Sequence, residues 1–101
     1  MKLSKEKLKL LSVDQLVKLL PPSTHDGGIK GSYKLMVTID TLDDNIYNCH
    51  YFSAYMKRIN GEVPTTSGTT IKTALIRMLE WFYKYRLIAL NEDKLSKYIV
   101  K

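Results

Sequence analysis

The stretch from Thr70 to Leu90 constrains this chain's fold more than any other. On a helix turning about 100° per residue, Thr73, Arg77, Glu80 and Lys84 fall on one polar stripe about 60° wide. Ile71, Leu75, Met78, Phe82 and Ala89 define the opposite face. Ile76, Tyr83 and Leu87 flank one side of the stripe; Trp81 and Ile88 flank the other. Lys72 and Arg86 interrupt the apolar surface, but their long stems carry the charge out to water. An ordinary surface helix has an apolar stripe on one side only. A helix this apolar is the central element of its fold or part of an interface, so the rest of the chain is expected to cover it.

The N-terminal residues read as two short helices. Leu3-Ser4 precedes Leu8, and Leu11-Ser12 precedes Leu16. In each pair the serine is placed to cap a helix, and the leucine before it sits at hydrophobic-staple spacing from the later one. Ser12 with Gln15 adds a capping-box pattern, so a helix is expected over about 13–20, ended by Pro21-Pro22. Residues 21–32, with three glycines and two prolines, read as a connector.

Residues 33–40 alternate as a half-buried strand does. Tyr33, Leu35, Val37 and Ile39 lie on one face and Lys34, Thr38 and Asp40 on the other, with Met36 the exception. A polar turn at 41–45 leads to a partner strand at 46–52. Two strands alone are marginal in water, so a helix must cover their apolar face. Residues 53–60 fit either a helix, capped by Ser53 and ended by Asn60-Gly61, or a third strand; the helix is preferred. Residues 62–70 read as a loop, the long helix runs from about 70 to about 90, Asn91 ends it, and 95–100 adds a short basic tail helix. The expected fold is α+β: two N-terminal helices, a central antiparallel hairpin with a third strand as an option, and a long C-terminal helix packed on the sheet. One domain is expected over 1–101, with 1–20 as a helical arm and 33–101 as the hairpin and long-helix core.

Composition narrows the function classes. Hydrophobic residues at 45% and charged residues at 26% are ordinary for a globular chain and argue against wholesale disorder. No apolar run approaches a membrane span, and the basic start has no signal-peptide pattern, so a cytoplasmic protein with no membrane partner is expected. The single cysteine, Cys49, excludes an intrachain disulfide and a cysteine-rich zinc site. Sixteen bases against ten acids give +6, unevenly spread. Residues 1–20 carry +3, residues 33–52 carry −2, and residues 69–101 carry +4. Basic ends of this kind attract phosphate backbones through counterion release, and they also keep small proteins soluble.

Catalytic patterns are weak. Gly27-Gly28-Ile29-Lys30-Gly31-Ser32 lacks P-loop spacing and lies between a helix and a strand, the reverse of the P-loop order. His25-Asp26 has no nucleophile or second acid nearby in sequence and reads as a turn. Cys49 and His50 are consecutive on a strand, so their side chains point to opposite faces; a buried cysteine and a surface histidine are expected. No metal ligand spacing and no cofactor motif is present, and the chain is read as a non-enzyme.

Two binding readings remain. In the first, the protein is a nucleic-acid-binding or nucleoprotein-associated regulator. Lys5, Lys7 and Lys9 with Arg77, Lys84, Lys94 and Lys97 would contact phosphates. Thr69, Thr70 and Lys72 would add contacts at the start of the long helix, where free N–H groups and the dipole favour anions. The element order does not fit a helix-turn-helix reader, which needs its recognition helix after a short turn. In the second, it is an inhibitor or adaptor of phage or mobile-element style. It would dock on a host protein through Trp81, Tyr85 and Ile88, and a homodimer is expected because the aromatic cluster at 81–85 is too concentrated to bury in so small a core. The readings divide on one point: opposite placement of the two basic ends means solubility, convergence means a binding surface.

Overall fold

A central helix with a sheet on one flank and two short helices on another organises the molecule. The structure, a computed structural model, describes residues 2–26, 29–40, 46–52 and 64–100. In chain order the elements are β1 (Lys2–Leu3), α1 (Lys5–Lys9), α2 (Val13–Leu19), β2 (Ser23–Asp26) and β3 (Ile29–Asp40). They continue with β4 (Ile46–Phe52), β5 (Thr66–Gly68), α3 (Ile71–Tyr85), α4 (Glu92–Leu95) and β6 (Ile99–Val100). Short 3-10 turns occupy Leu87–Ala89 and Ser96–Tyr98. Strands β2, β3, β4 and β5 form an antiparallel sheet in sequence order, and β1 pairs with β6 in a separate two-stranded ladder. Helix α3 packs on β4 and β5 and also on α1 and α2. The fold is α+β.

The serine devices at the N-terminus work as their spacing implies. Ser4 Oγ accepts from the Lys7 amide at 3.3 Å and caps α1. Ser12 and Gln15 form a reciprocal box: the Gln15 amide donates to Ser12 Oγ at 3.1 Å, and the Ser12 amide donates to Gln15 Oε1 at 2.8 Å. Leu3, Leu8 and Leu16 are buried, so both helices are pinned into the same core as α3. Helix α2 ends at Leu19 because Leu20, ahead of the proline pair, is already extended.

The hairpin keeps the expected phase. Leu35 pairs with Tyr51 and Val37 with Cys49, and Cys49 and Tyr51 are fully buried against α3. The Tyr51 ring meets Phe82 edge-on, 5.6 Å between centroids. Its hydroxyl donates to the Pro21 carbonyl at 2.5 Å, tying the end of the helical pair to the sheet. His50, one residue from both, is half-buried on the opposite face. Ile39 holds the apolar phase but stays 54% exposed.

Four sequence expectations need correction. The connector at 21–32 is largely strand: Ser23 pairs with Lys34, Thr24 with Tyr33 and Asp26 with Ile29, with a register shift between Thr24 and Asp26. Cross-strand pairing overrides the local glycine and proline signals there, and β3 starts four residues before the expected strand. Within the expected loop at 62–70, Thr66–Gly68 adds a strand to β4. Gly68 makes this close: a Cβ there would lie 2.7 Å from Thr73 Cβ and 3.0 Å from the Ala74 nitrogen. The long helix ends at Tyr85 rather than near 90; Arg86 leaves helical geometry at φ −141°, ψ 50°, and the following 3-10 turn brings Leu90 into the core. The expected tail helix at 95–100 is instead the end of α4, a 3-10 turn and β6, and Asn91 starts α4 rather than only ending α3, accepting from the Asp93 and Lys94 amides. The turn at 41–45 and the helix-or-strand segment at 53–60 lie outside the described residues.

Candidate nucleic-acid interface

The pairing of β1 with β6 brings the basic ends of the chain together. Lys2 pairs with Val100 and Leu3 with Ile99, and the Ser4 amide donates to the Tyr98 carbonyl at 2.6 Å. This fixes α1 alongside α3. Lys5 and Lys9, four residues apart on α1, therefore face the polar stripe of α3, and Lys5 Nζ lies 3.6 Å from Glu80 Oε2.

Two clefts follow. The larger, about 860 Å³, is lined by β1, the start of α1 and the second half of α3, including Lys2, Lys5, Tyr83 and Lys84. The smaller, about 400 Å³, lies at the first half of α3 and includes Lys5, Lys9, Lys72 and Arg77. Lys5 and Glu80 line both, so the clefts adjoin along α3 as one groove crossed by the Lys5–Glu80 ion pair. Among the described residues six bases line it, against two acids, Glu6 and Glu80.

The structure sorts the sequence candidates. Lys5, Lys9, Lys72, Arg77 and Lys84 line the groove, with Thr70 at its end. Lys72 is half-buried, and its Nζ donates to the Lys9 carbonyl at 3.4 Å, closing the end of α1 onto α3. Arg77 donates to the Ser67 carbonyl and so braces β5 against α3. Lys7 points away from the groove: its Nζ donates to the Lys97 carbonyl at 3.3 Å, on the backbone of the Ser96–Tyr98 turn, and Lys97 lines neither cleft. Thr69 and Lys94 are exposed and line neither cleft. Thr70 Oγ1 accepts from the Thr73 amide at 3.1 Å as the cap of α3, and Thr66 Oγ1 donates to the Ala74 carbonyl at 2.8 Å. These hydroxyls thus hold their own strand and helix together.

Lys2 and Tyr83 line the groove and lie outside the sequence candidates. Lys2 belongs to the basic start, but only the β1–β6 ladder turns it toward α3. Tyr83 flanks the polar stripe in sequence and is half-buried in the wider part of the groove.

The aromatic flank lies on the other side of the stripe. Trp81 is half-buried, edge-on to Phe82 at 5.3 Å and tilted on Tyr85 at 5.5 Å. Arg86 lies over the Trp81 ring at 5.7 Å, and Lys84 over the Tyr85 ring at 5.0 Å. Tyr85 is 61% exposed. Of Ile88 the backbone is described, within the 3-10 turn.

Two buried titratable side chains, Cys49 and Tyr51, lie on β4 against α3. Burial pushes the Cys49 thiol up to about 11, while a hydrogen bond with Thr66 acts in the opposite direction. Burial, with Cys49 beside it, also raises the Tyr51 hydroxyl well above its ordinary value. A thiol held protonated is a poor nucleophile. Among the described residues no three His, Cys, Asp or Glu side chains gather as metal ligands, and no helix is long and apolar enough to cross a membrane. No protein-family model, no curated protein and no solved structure matches this chain.

Proposed function

We propose that this protein is a non-enzymatic, nucleic-acid-binding or nucleoprotein-associated regulator that holds phosphates in the groove between α1 and α3. The observation that carries the reading is convergence. Lys2, Lys5 and Lys9 from one end of the chain and Lys72, Arg77 and Lys84 from α3 line the same groove, with net charge +4 against Glu6 and Glu80. Mere solubility requires no such gathering, whereas phosphate binding does, because each neutralised phosphate releases counterions.

Titration of fluorescent oligonucleotides with the protein at about 50 mM and about 200 mM salt tests this. If about four phosphates are neutralised, affinity should fall roughly a hundredfold across that range. Arg77→Ala and Lys9→Ala should weaken binding and flatten the salt slope, while Lys94→Ala, outside the groove, should leave both unchanged. Absence of binding at the lower salt would sink the reading.

A second reading has its own support in the exposed Tyr85 ring beside Trp81. In it the protein docks on a partner protein, or on a second copy as a homodimer, through this aromatic flank. Binding would then survive high salt and fail on Trp81→Ala, and sedimentation of the free protein would report a dimer.

A further inference from the structure

The shape of the groove restricts which nucleic acid can occupy it. We infer that its ligand is a single strand lying along α3, with phosphates on the basic rims and a base stacked on Tyr83; this deepens the phosphate-groove reading and rests on it.

The first argument is steric. A helix that reads a duplex must enter a major groove about 12 Å wide and about 8.5 Å deep with its exposed side leading. The polar stripe of α3 does not lead. Helix α1 stands on one flank of it, joined through the Lys5–Glu80 ion pair and the Lys72 bond to the Lys9 carbonyl. Strand β5 stands on the other, joined through Arg77 to the Ser67 carbonyl and through Thr66 to the Ala74 carbonyl. Along its first half the stripe is thus a floor between α1 and β5, and along its second half β1 and the start of α1 rise on one side, so a duplex cannot seat its base edges on it.

The second argument is length and chemistry. Thr73 to Lys84 spans eleven residues, about 16 Å of helix rise. At a stacked spacing of about 3.4 Å per nucleotide this accommodates about five nucleotides. Cations lie at both ends of the floor, Lys9 and Arg77 at one and Lys2 and Lys84 at the other. Tyr83 lies half-buried in the wider end, with its ring as a surface for a base. A basic channel with an aromatic platform is the arrangement that holds single strands without reading sequence. Glu80 lines both clefts and is the anion in the middle of the floor, where it repels a passing phosphate.

Fluorescence anisotropy with labelled oligo-dT and oligo-U of fifteen nucleotides, set against a hairpin duplex of equal phosphate count, provides the test. Single strands are expected to bind at least tenfold tighter than the duplex. Tyr83→Ala should weaken single-strand binding about tenfold and leave the weak duplex binding alone, while Tyr83→Phe retains full affinity. Glu80→Gln should tighten single-strand binding severalfold. Circular dichroism checks the fold of each variant, and should Tyr83→Ala unfold, the strand preference and Glu80→Gln decide alone. Equal or tighter duplex binding overturns the single-strand inference and leaves the phosphate groove standing. Failure to bind any of the three probes overturns both.

Discussion

The two flanks of α3 are held by different forces. Toward the sheet, Ala74, Met78 and Phe82 have no exposed surface, and Phe82 sits edge-on to both Tyr51 and Trp81. Toward α1, a charged and open rim lies above the buried Leu8, and its ion pair joins side chains that are 62% and 34% exposed at 3.6 Å. Packing in a dry interior contributes several kcal/mol per large side chain, whereas a solvated ion pair contributes at most about 1. The comparison teaches that stability resides in the buried faces of α3, toward the sheet and toward Leu8 and Leu16, and not in the charged rim. The charged rim can therefore change its charge pattern at little cost to the fold.

That contrast can be broken by measurement. The largest effect is expected for Phe82→Ala, which removes a fully buried ring and should lower unfolding free energy by about 3–5 kcal/mol in urea titrations. An equal loss from Arg77→Ala would erase the distinction between the flanks. Next comes Gly68→Ala, whose new Cβ collides with Thr73 and the backbone of Ala74. It should destabilise by about 1–3 kcal/mol and loosen β5 from α3, visible as faster proteolysis at that edge.

Alkaline pH should act on the sheet flank through Cys49 and Tyr51. Cys49 holds its proton to about 11 in the folded protein, against an ordinary value of 9.0. Below pH 9 the folded and unfolded chains are both protonated and stability is fully present. As pH rises from 9 to 11 the unfolded thiol ionises first, and stability falls by roughly 2 kcal/mol. Tyr51 adds a further loss above its ordinary value of 10.0. Thermal melts of Cys49→Ala should show a shallower decline between pH 9 and 10 than the parent protein. The smallest effect belongs to the groove: Lys5→Ala should change stability by no more than about 0.5 kcal/mol while weakening oligonucleotide binding.

Local signals were legible where the side chain involved acts on its own neighbours. Ser4 and Ser12 announce their caps because the hydrogen bonds they make close within three residues. The hairpin of β3 and β4 is legible because alternation and partner lie close together in the chain. Strands β2 and β5 were not: their residues are polar or glycine, and only the neighbouring strand turns them into sheet. The end of α3 is hidden in the sequence because Leu87 and Leu90 continue the apolar pattern after Arg86 has left the helix. The groove divides the same way. Its α3 half was visible as a narrow polar stripe, but that Lys5 and Lys9 would face it while Lys7 turned away depends on β1 meeting β6 across the length of the chain. No local pattern encodes a contact of that span.

That ladder has a dynamic consequence. It consists of two residue pairs, Lys2 with Val100 and Leu3 with Ile99, reinforced by the Ser4 amide on the Tyr98 carbonyl. Closing so long a stretch of chain on so few hydrogen bonds makes it the element with least to lose by opening, so its amides should exchange with solvent well before those of α3. Lys2 and Leu3 also form one wall of the groove. A ligand seated there would hold the ladder shut, and binding would then register as slowed amide exchange at Leu3, Ser4 and Val100, far in sequence from the phosphate contact proposed for Arg77.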